Sequence, residues 1–366
     1  TKDGLGPLST DGVLNIPVGT AFVYRSKQPD LFVRTGRFGS DIGLFLFPWI
    51  KNTEDGTPVF GHPIKITHPF EKEYPPAGNI FQLKDGTIHA IWLEKNALIN
   101  TRFEKNEFTE QNRIELTGLP RSPNSLAVLP NTDGSINILL EVSDGTAYRP
   151  NTMSSRDPLY RPYDGAGIWH GGLPYVGLYT ITLPEFFKGP ATDVRLLSFS
   201  EKEVQLSFNQ ITVVNLGKQR ERDIICGSHY GGIHYYHNRS KQSVDLDPRI
   251  HAVSMDHNAL RHPIIQPSPV AFPNPQTGFS DLIAGGEGAL YFYKFTGKFS
   301  KVGKPVFEEP TPVLQQNAEL YGGTLPVPNI VDWDGDGALD IVFGNSEGRV
   351  LLVKNAGTNK LPAFLP

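Results

Sequence analysis

Short apolar runs separated by glycine-rich turns recur along the chain. Three of these stretches align closely, at Asp223–Asn238, Asp281–Lys294 and Asp340–Asn355, and their leading aspartates are 58 and 59 residues apart. Each stretch predicts a strand rich in β-branched residues, a tight turn and a second strand of apolar and aromatic residues, which is the pattern of a β-hairpin. A fixed period of this length indicates a repeat protein.

Weaker copies of the repeat fill the N-terminal half. One begins at Asp30, and two degenerate units, 79–104 and 124–148, alternate apolar and polar residues around Asp-Gly turns. A tail motif, Pro-Val-Phe or Pro-Ala-Phe, follows the repeats at 58–60, 305–307 and 362–364. Units of four short strands at this spacing predict an all-β fold, a β-propeller of about six blades, with five to seven compatible. A β-sandwich or β-solenoid is the alternative, but the period exceeds one sandwich hairpin and most solenoid coils.

The amino-acid composition also supports the prediction of an all-β fold. The 37 glycines and 31 prolines among 366 residues disfavour long helices, while 22 Phe, 13 Tyr and 4 Trp can supply a core. We therefore expect one propeller domain over residues 1–366. Because Thr1 follows no initiator methionine and no signal peptide is visible, we expect a processed or excised piece of a longer protein. The expected location is extracellular, periplasmic or at the cell surface.

Charge and cysteine content exclude several classes of function. Lys and Arg total 34 against 38 Asp and Glu, a net charge of −4, which argues against a polybasic nucleic-acid-binding protein. The longest apolar stretch, Ile42–Ile50, is far shorter than the ~20 residues needed to span a bilayer. Cys226 is the single cysteine, so no internal disulfide can form.

One segment carries a metal-loop pattern. Asp332, Asp334, Asp336 and Asp340 stand at positions 1, 3, 5 and 9 of a loop, and Gly337 follows the third. Alternate carboxylates on a tight turn aim hard oxygens at one point, as calcium requires. An EF-hand is excluded because Phe343 stands where its bidentate glutamate belongs. The pattern predicts calcium, with a solvated Asx turn as the alternative.

The same segment resembles a known family. The D-x-D-x-D-G-x-x-D loop, the strand Ile341–Gly344, then Gly348 and an apolar strand are similar to FG-GAP/VCBS repeats, which build integrin-like β-propellers. The resemblance is specific over 330–364 and extends over 222–307. It implies a structural calcium that staples the blade. Only one ion is implied, because the repeats at 223 and 281 lack the aspartate-rich loop.

The family geometry places the turns between second and third strands on one rim. Polar side chains fall on these predicted turns where a minimal hairpin needs only Gly, Asn or Asp. They are Arg34, Arg37, Asp41, His229, Tyr230, Glu287 and Glu347. Either they form a ligand site, or they are ordinary polar surface turns.

An insertion, 146–175, is a second candidate. It is rich in arginine and aromatic residues, among them Arg149, Arg161, Trp169 and His170. Aromatic faces stack on sugar rings and arginine forks bind carboxylate, sulfate or phosphate. Because long loops are usually functional or disordered, we favour a ligand-contacting loop over one face.

A third stretch, 249–262, is rich in histidine. It contains His251, Asp256, His257, Arg261 and His262, and histidine with carboxylate can bind zinc. The spacing fits no standard zinc site, so a solvated connector is the favoured interpretation.

Two classes of function follow. The first is a secreted carbohydrate-active enzyme acting on an acidic polysaccharide or oligosaccharide. A lyase would use His229 and Tyr230 as base and acid, with arginines neutralising a uronate carboxylate. A hydrolase would use Glu287 and Glu347 as paired carboxylates, with spare candidates Glu141 and Asp41.

The alternative is a non-catalytic propeller module that binds glycan or protein. No Ser-His-Asp order, phosphate loop or dinucleotide fingerprint is present. The two classes differ in geometry, because catalysis requires the turn residues to converge in one pocket beside the arginines. The combination of His-Tyr and Glu turns with the arginine-rich insertion favours the enzyme.

Overall fold

The computed structural model describes residues 4–9, 14–36, 41–147, 174–184, 187, 192–197, 203–204, 211–228, 231–318 and 320–365. These residues contain strands and turns and no helix, so no helix among them could cross a membrane. The all-β prediction is confirmed for this part of the chain. Because each repeat alternates short apolar runs with Asp-Gly, Asn-Gly or similar turns, the backbone folds back on itself every few residues.

The strands are numbered in chain order. They are β1 (Leu5–Pro7), β2 (Leu14–Ala21), β3 (Asp30–Gly36), β4 (Gly43–Phe47), β5 (Trp49–Asn52), β6 (Pro58–Phe60), β7 (Ile64–Ile66), β8 (Gly78–Gln82), β9 (Ile88–Glu94), β10 (Ala97–Glu104), β11 (Glu107–Glu115), β12 (Pro123–Pro130), β13 (Ile136–Ala147), β14 (Pro174–Leu183), β15 (Thr192–Leu196), β16 (Glu203–Val204), β17 (Ile211–Val214), β18 (Asp223–Gly227), β19 (Ile233–Tyr236), β20 (Ile250–His251), β21 (Ser268–Pro273), β22 (Ser280–Glu287), β23 (Tyr291–Tyr293), β24 (Phe295–Phe299), β25 (Pro305–Phe307), β26 (Thr311–Pro312), β27 (Leu314–Gln316), β28 (Val327–Val331), β29 (Asp340–Gly344) and β30 (Val350–Val353).

Twenty of these strands form five four-stranded antiparallel meanders in chain order. The first sheet is β2-β3-β4-β7 and the second is β8-β9-β10-β11. The third sheet is β12-β13-β14-β15, and β16 also pairs with β14. The fourth is β17-β18-β19-β20 and the fifth is β21-β22-β23-β26. The last repeat forms a three-stranded C-terminal sheet, β28-β29-β30.

The first strands of the five sheets make a closed cycle of contacts. β2 contacts β8, β8 contacts β12, β12 contacts β17, β17 contacts β21, and β21 contacts β2. β2 also pairs with β22, where Leu14 lies opposite Glu287, and meets β8 at Gly19 and Ile80. A ring of four-stranded meanders around their first strands is the arrangement of a β-propeller.

The hydrophobic core is divided among the interfaces between successive sheets. Five separate clusters of buried side chains are present, one each between sheets 1 and 2, 2 and 3, 3 and 4, 4 and 5, and 5 and 1. Trp92 in the first of these and Tyr293 in the fourth are fully buried. Each large apolar side chain buried in this way contributes about 1.5–3 kcal/mol.

A small separate sheet closes the ring between the fifth and first sheets. β1 pairs antiparallel with β27, and β27 pairs parallel with β6. Leu8 is fully buried there; its N–H donates to the carbonyl of Val313 at 2.7 Å, and its carbonyl accepts from the N–H of Leu290 at 3.2 Å. The N-terminal strand and Leu8 are thereby fixed against residues 282 to 311 positions away.

The aspartate that leads each clear repeat is a buried staple. Its carboxylate accepts a hydrogen bond from the backbone N–H two residues beyond the third strand, at 2.7–2.9 Å, in four repeats: Asp30 with Trp49, Asp223 with Asn238, Asp281 with Phe295, and Asp340 with Asn355. The same four N–H residues pair with a returning segment, at Phe60, Leu246, Phe307 and Phe364 respectively. The aspartate therefore fixes the second strand to the outer hairpin.

The predicted count of about six blades is not confirmed. The described residues form five four-stranded sheets in the ring, and the sixth repeat has three strands. In that C-terminal sheet Val327 and Val350 are 74% and 77% exposed, whereas the corresponding faces inside the ring are covered by the next sheet. The described residues of the Asp-Gly units 79–104 and 124–148 form strands of the second and third sheets, as predicted.

The staple predicts a pH-dependent difference between the wild-type protein and an Asp281→Asn variant. Burial raises the pKa of Asp281 from its ordinary value near 3.8 to about 6. Between these values the folded protein holds a proton that the unfolded chain releases, so this group's stabilising contribution is full below pH 4 and is lost as pH rises through 6. Lowering the pH from 7 to 4 should therefore increase the unfolding free energy of the wild type, relative to that of Asp281→Asn, by about 1–3 kcal/mol.

Urea unfolding at several pH values measures this difference. The matched control is Asp256→Asn, on an exposed turn. A gap between wild type and Asp281→Asn that is the same at pH 4 and pH 7 would contradict the expectation.

Candidate functional site

The turns between second and third strands lie on one face of the ring. The first strands begin there and the second strands end there, as the pairs Leu14–Gly36, Pro123–Val142 and Ser268–Gly285 illustrate. We call this the cleft face. Of the predicted rim residues, Arg34, Asp41 and Glu287 are on it.

A cavity of about 900 Å³ opens on the cleft face between the first and second sheets; we call it the cleft. Its apolar lining comes from Leu14, Ile16, Phe70 and Leu93, and its polar lining comes from Arg34, Glu71, Lys72, Tyr74, Glu94, Lys95, Glu110, Arg113 and Asn124. The connection 69–77 between the two sheets forms one wall. An apolar floor with convergent polar groups is typical of a small-molecule or glycan site.

Arg34 is the buried cation of the cleft. It lies near the end of β3 and is 6% exposed. Its Nη1 donates to the carbonyl of Pro75 at 3.1 Å, and its Cζ lies 4.6 Å from the centre of the Tyr74 ring. The Tyr74 ring lies so close to Gly36 that any Cβ at position 36 would come within 2.0 Å of it. Glycine at this position thus allows tyrosine to cover the arginine, a cation–π contact.

Carboxylates face the cleft from the second sheet. The Arg113 guanidinium, on β11, lies 2.9 Å from Glu94 and 3.4 Å from Glu110. These hydrogen bonds raise the pKa of Arg113. Sequence reasoning missed Glu94, Glu110, Arg113 and Tyr74, because none lies on a glycine-rich turn and only the pairing of β9, β10 and β11 brings the three charged groups together.

Glu287 and Glu347, the predicted carboxylate pair, have different surroundings. Glu287 ends β22 beside Leu14 of the cleft. The Glu347 carboxylate accepts hydrogen bonds from the hydroxyls of Tyr291 and Tyr321, the latter at 2.9 Å. Burial is the main cause that raises the pKa of both tyrosines, so both donate as neutral hydroxyls. Glu347 thereby joins the C-terminal sheet to the fifth sheet, and its catalytic pairing with Glu287 stays a prediction.

Several predicted residues lie outside the described residues: Arg37, Arg149, Arg161, Trp169, His170, His229 and Tyr230. The two spare acids are described. Glu141 is fully buried on β13 opposite Ser125, and Asp41 lies in the turn before β4, where its carbonyl accepts from the hydroxyl of Thr35. Neither lines the cleft.

The described histidines of 249–262 do not form a metal cluster. His262 is buried and shares a 2.7 Å hydrogen bond with the Tyr293 hydroxyl, and burial lowers the pKa of His262 to about 3. The ring centres of His251 and His234 are 4.4 Å apart, while Asp256 and His257 are on an exposed turn. Within the described ranges, the one group of three or more His, Cys, Asp or Glu suited to a shared ion is Asp332, Asp334 and Asp340.

The aspartate-rich loop precedes β29. Ligand oxygens of Asp332, Asp334 and Asp340 lie within 4.8 Å of one another. Asp332 accepts the N–H groups of Gly335 and Gly337, which fold the loop around it. The fourth predicted ligand, Asp336, is not in this group; it accepts the N–H of Ala338 and lies 3.5 Å from the ammonium of Lys354, which also hydrogen-bonds to Asp334.

Comparison with known proteins gives distant structural similarity. No family model matches the sequence, and no curated protein does. Fructan 1-exohydrolase IIa of Cichorium intybus is similar over 95% of this chain and 59% of its own length, at 9% identity and a TM-score of 0.46. A triple arginine-to-alanine mutant of AofleA from Arthrobotrys oligospora is similar over 86% and 94%, at 11% identity and a TM-score of 0.37. At these values neither similarity identifies the activity of this chain.

The surroundings of Glu347 predict a stabilising role that Glu347→Gln would reveal. In glutamine, an NH2 group that can only donate replaces one of the two accepting oxygens. One of the two tyrosine hydroxyls therefore loses its acceptor. We expect the unfolding free energy to fall by about 1–3 kcal/mol. Glu308→Gln, which removes an exposed ion pair with Lys294, is the matched control and should cost less than about 1 kcal/mol. Unchanged stability of Glu347→Gln in chemical denaturation would overturn the structural interpretation.

Proposed function

We propose that this protein is a secreted carbohydrate-active β-propeller that binds an acidic glycan in the cleft and cleaves it. The observation that carries the proposal is the Arg34–Tyr74 pair on the cleft wall, facing a cavity of a size usual for ligand sites. The five sheets and their five interface cores support a five-bladed ring as the scaffold.

The cleft chemistry supports an acidic sugar as ligand. The aromatic side chains of Phe70 and Tyr74 line the cleft, and aromatic rings can stack on a sugar. Arg34 offers a planar fork of donors suited to a carboxylate, in a largely desolvated position where that attraction is strengthened. Lys72 and Lys95 add positive charge at the rim.

Both cleavage chemistries are compatible with these groups. In β-elimination, an arginine paired with the uronate carboxylate would make the neighbouring C–H more acidic. A base would take that proton, and an acid such as Tyr74 would protonate the departing glycosidic oxygen. In hydrolysis, one carboxyl group protonates that oxygen and a second activates water or attacks the sugar. Glu71, Glu94 and Glu110 are in the cleft, and Glu287 is beside it.

A non-catalytic glycan-binding module is the second candidate. It is favoured by the contacts of Arg113, which forms ion pairs with both Glu94 and Glu110. Carboxylates held in this way position an arginine for binding and are less available for proton transfer.

Polysaccharide digestion with an Arg34→Gln variant tests the proposal. The wild-type protein is incubated with acidic polysaccharides while ultraviolet absorbance of unsaturated uronate and release of reducing ends are followed. We expect Arg34→Gln to lower kcat/KM about tenfold to a hundredfold, because one charge-assisted contact is worth about 1.5–3 kcal/mol. Arg102→Gln, which removes an exposed ion pair with Glu104, is the matched control and should keep full activity.

Absorbance together with new ends would identify a lyase, and new ends alone a hydrolase. Glycan binding that depends on Arg34 without either product would favour the binding module. Equal activity of Arg34→Gln and wild type would place the site outside the cleft.

We also propose that Asp332, Asp334 and Asp340 hold a structural calcium ion. Their converging hard oxygens suit this ion, and Gly335 and Gly337, both with positive φ, permit the tight loop. The Lys354 ammonium already balances part of the negative charge and would compete with the ion.

Thermal unfolding with calcium, magnesium or chelator tests the site. Calcium should raise the Tm of the wild type, and Asp332→Asn should abolish the effect because it removes one ligand charge. Lys354→Met should strengthen calcium binding, since the competing cation is gone. Asp245→Asn, in another exposed ion pair, is the matched control. The same Tm with calcium and with chelator would contradict the proposal.

A further inference from the structure

Arg222 is a partly buried cation with no counter-ion within the described ranges of the chain. It precedes β18 on the face opposite the cleft, where the first strands end. Its Nη1 donates to the carbonyl of Pro130, at the end of β12, at 2.7 Å. Its Nε and Nη2 are covered and have no hydrogen-bond partner among the residues that the structure describes. The guanidinium thus makes one hydrogen bond to an uncharged group.

Neither of the acids next to Arg222 in sequence forms an ion pair with it among the described residues. The carboxylate of Asp223 accepts from the Asn238 N–H and shares a 2.9 Å contact with the His237 ring. Glu221 is exposed, and its own backbone N–H and the lysines around it lower its pKa. A desolvated charge without a partner costs several kcal/mol, so natural proteins pair such groups with an anion.

A small basic cavity lies next to this guanidinium. It has a volume of about 220 Å³, several times the ~30 Å³ that a water molecule occupies in the liquid. Its lining is Gln219, Glu221, Arg222, His237, Asn238, Arg239, Ser240 and Lys241. The exposed, outer wall of the cavity includes Arg239 and Lys241.

The two basic residues of that wall differ in their partners. Arg239 lies 2.6 Å from Asp245 and 3.5 Å from Asp247, so its charge is balanced. Lys241 has no ion pair among the described residues. Arg222 and Lys241 therefore leave this cavity with an excess of positive charge over Glu221.

We propose that this cavity binds a tetrahedral oxyanion, sulfate or phosphate. Movement of exposed side chains such as Arg239 and Lys241 would uncover Nε and Nη2 of Arg222, which form one edge of a guanidinium fork that matches two oxygens of such an ion. Lys241 supplies a second positive charge from the outer wall. The ion would be free in solution or an ester on a sugar, and this site is separate from the cleft on the other face.

Anion-dependent stability tests the proposal. Thermal unfolding and titration calorimetry are carried out with sodium sulfate, sodium phosphate and sodium chloride at matched ionic strength. Sulfate or phosphate should raise the Tm of the wild type above its value in chloride, by an amount that grows with concentration as binding to the folded state requires. Arg222→Gln should abolish this difference. Arg222→Lys should weaken binding at least about tenfold, because an ammonium cannot form the fork.

The controls separate binding from folding. Arg195→Gln is the matched control, because Arg195 is an exposed arginine that also donates to a backbone carbonyl, that of Val244 at 3.2 Å. Where Arg222→Gln fails to fold, Lys241→Gln provides the test, since this exposed side chain can be removed without loss of packing. It should weaken binding severalfold at unchanged Tm in chloride.

The outcomes are distinct. Binding of glucose 6-sulfate or glucose 6-phosphate more tightly than the inorganic ions would support an ester on a sugar as the ligand, and tighter binding of the inorganic ions would support a free ion. The same wild-type Tm in sulfate, phosphate and chloride would overturn the proposal. So would an Arg222→Gln protein that keeps the wild-type response to sulfate or phosphate.

Discussion

Closure of the ring between the first and fifth sheets is the constraint on which the other interfaces depend. Each sheet is apolar on both faces, so each needs a neighbour on both sides. An open row of five sheets would leave two such faces in water. Leu8 and the strands β1, β27 and β6 remove that exposure by fixing the first sheet to the fifth. The C-terminal sheet, which lies outside the cycle of contacts, shows exposed valines on one face.

The buried aspartates fix strands to one another within a repeat, as closure of the ring fixes one sheet to the next. A carboxylate taken out of water is costly, and burial raises the pKa of Asp30 and Asp281 accordingly. Backbone N–H groups offset that cost and fix the outer hairpin to the second strand. The second and third sheets lack this aspartate, since β9 and β13 begin with isoleucine, and these are the repeats that are hardest to recognise in the sequence.

The cleft is a consequence of the ring rather than of any one repeat. Arg34 comes from the first sheet, Glu94 and Arg113 come from the second, and Asn124 lies in the first strand of the third. The pairing of β9 with β10 and of β10 with β11 brings Glu94 and Arg113 within 2.9 Å, although they are 19 residues apart in sequence. On the opposite face, the same packing of one sheet against the next places Arg222 beside Pro130. Both sites are assembled at boundaries between sheets.

The sequence alone determined the all-β class, the period and the leading aspartates, because these follow from local turn chemistry and strand alternation. The expectation that Arg34 and Glu287 share one face came from the geometry of the family that the chain resembles. The sequence also placed Asp332, Asp334 and Asp340 together, since they lie on one short loop. Only the tertiary structure decided that the described residues form a ring of five four-stranded sheets, that Tyr74 covers Arg34, and that Glu347 is held by two tyrosines. Those features depend on contacts between residues far apart in the chain, and their partners are set by how the sheets pack rather than by spacing.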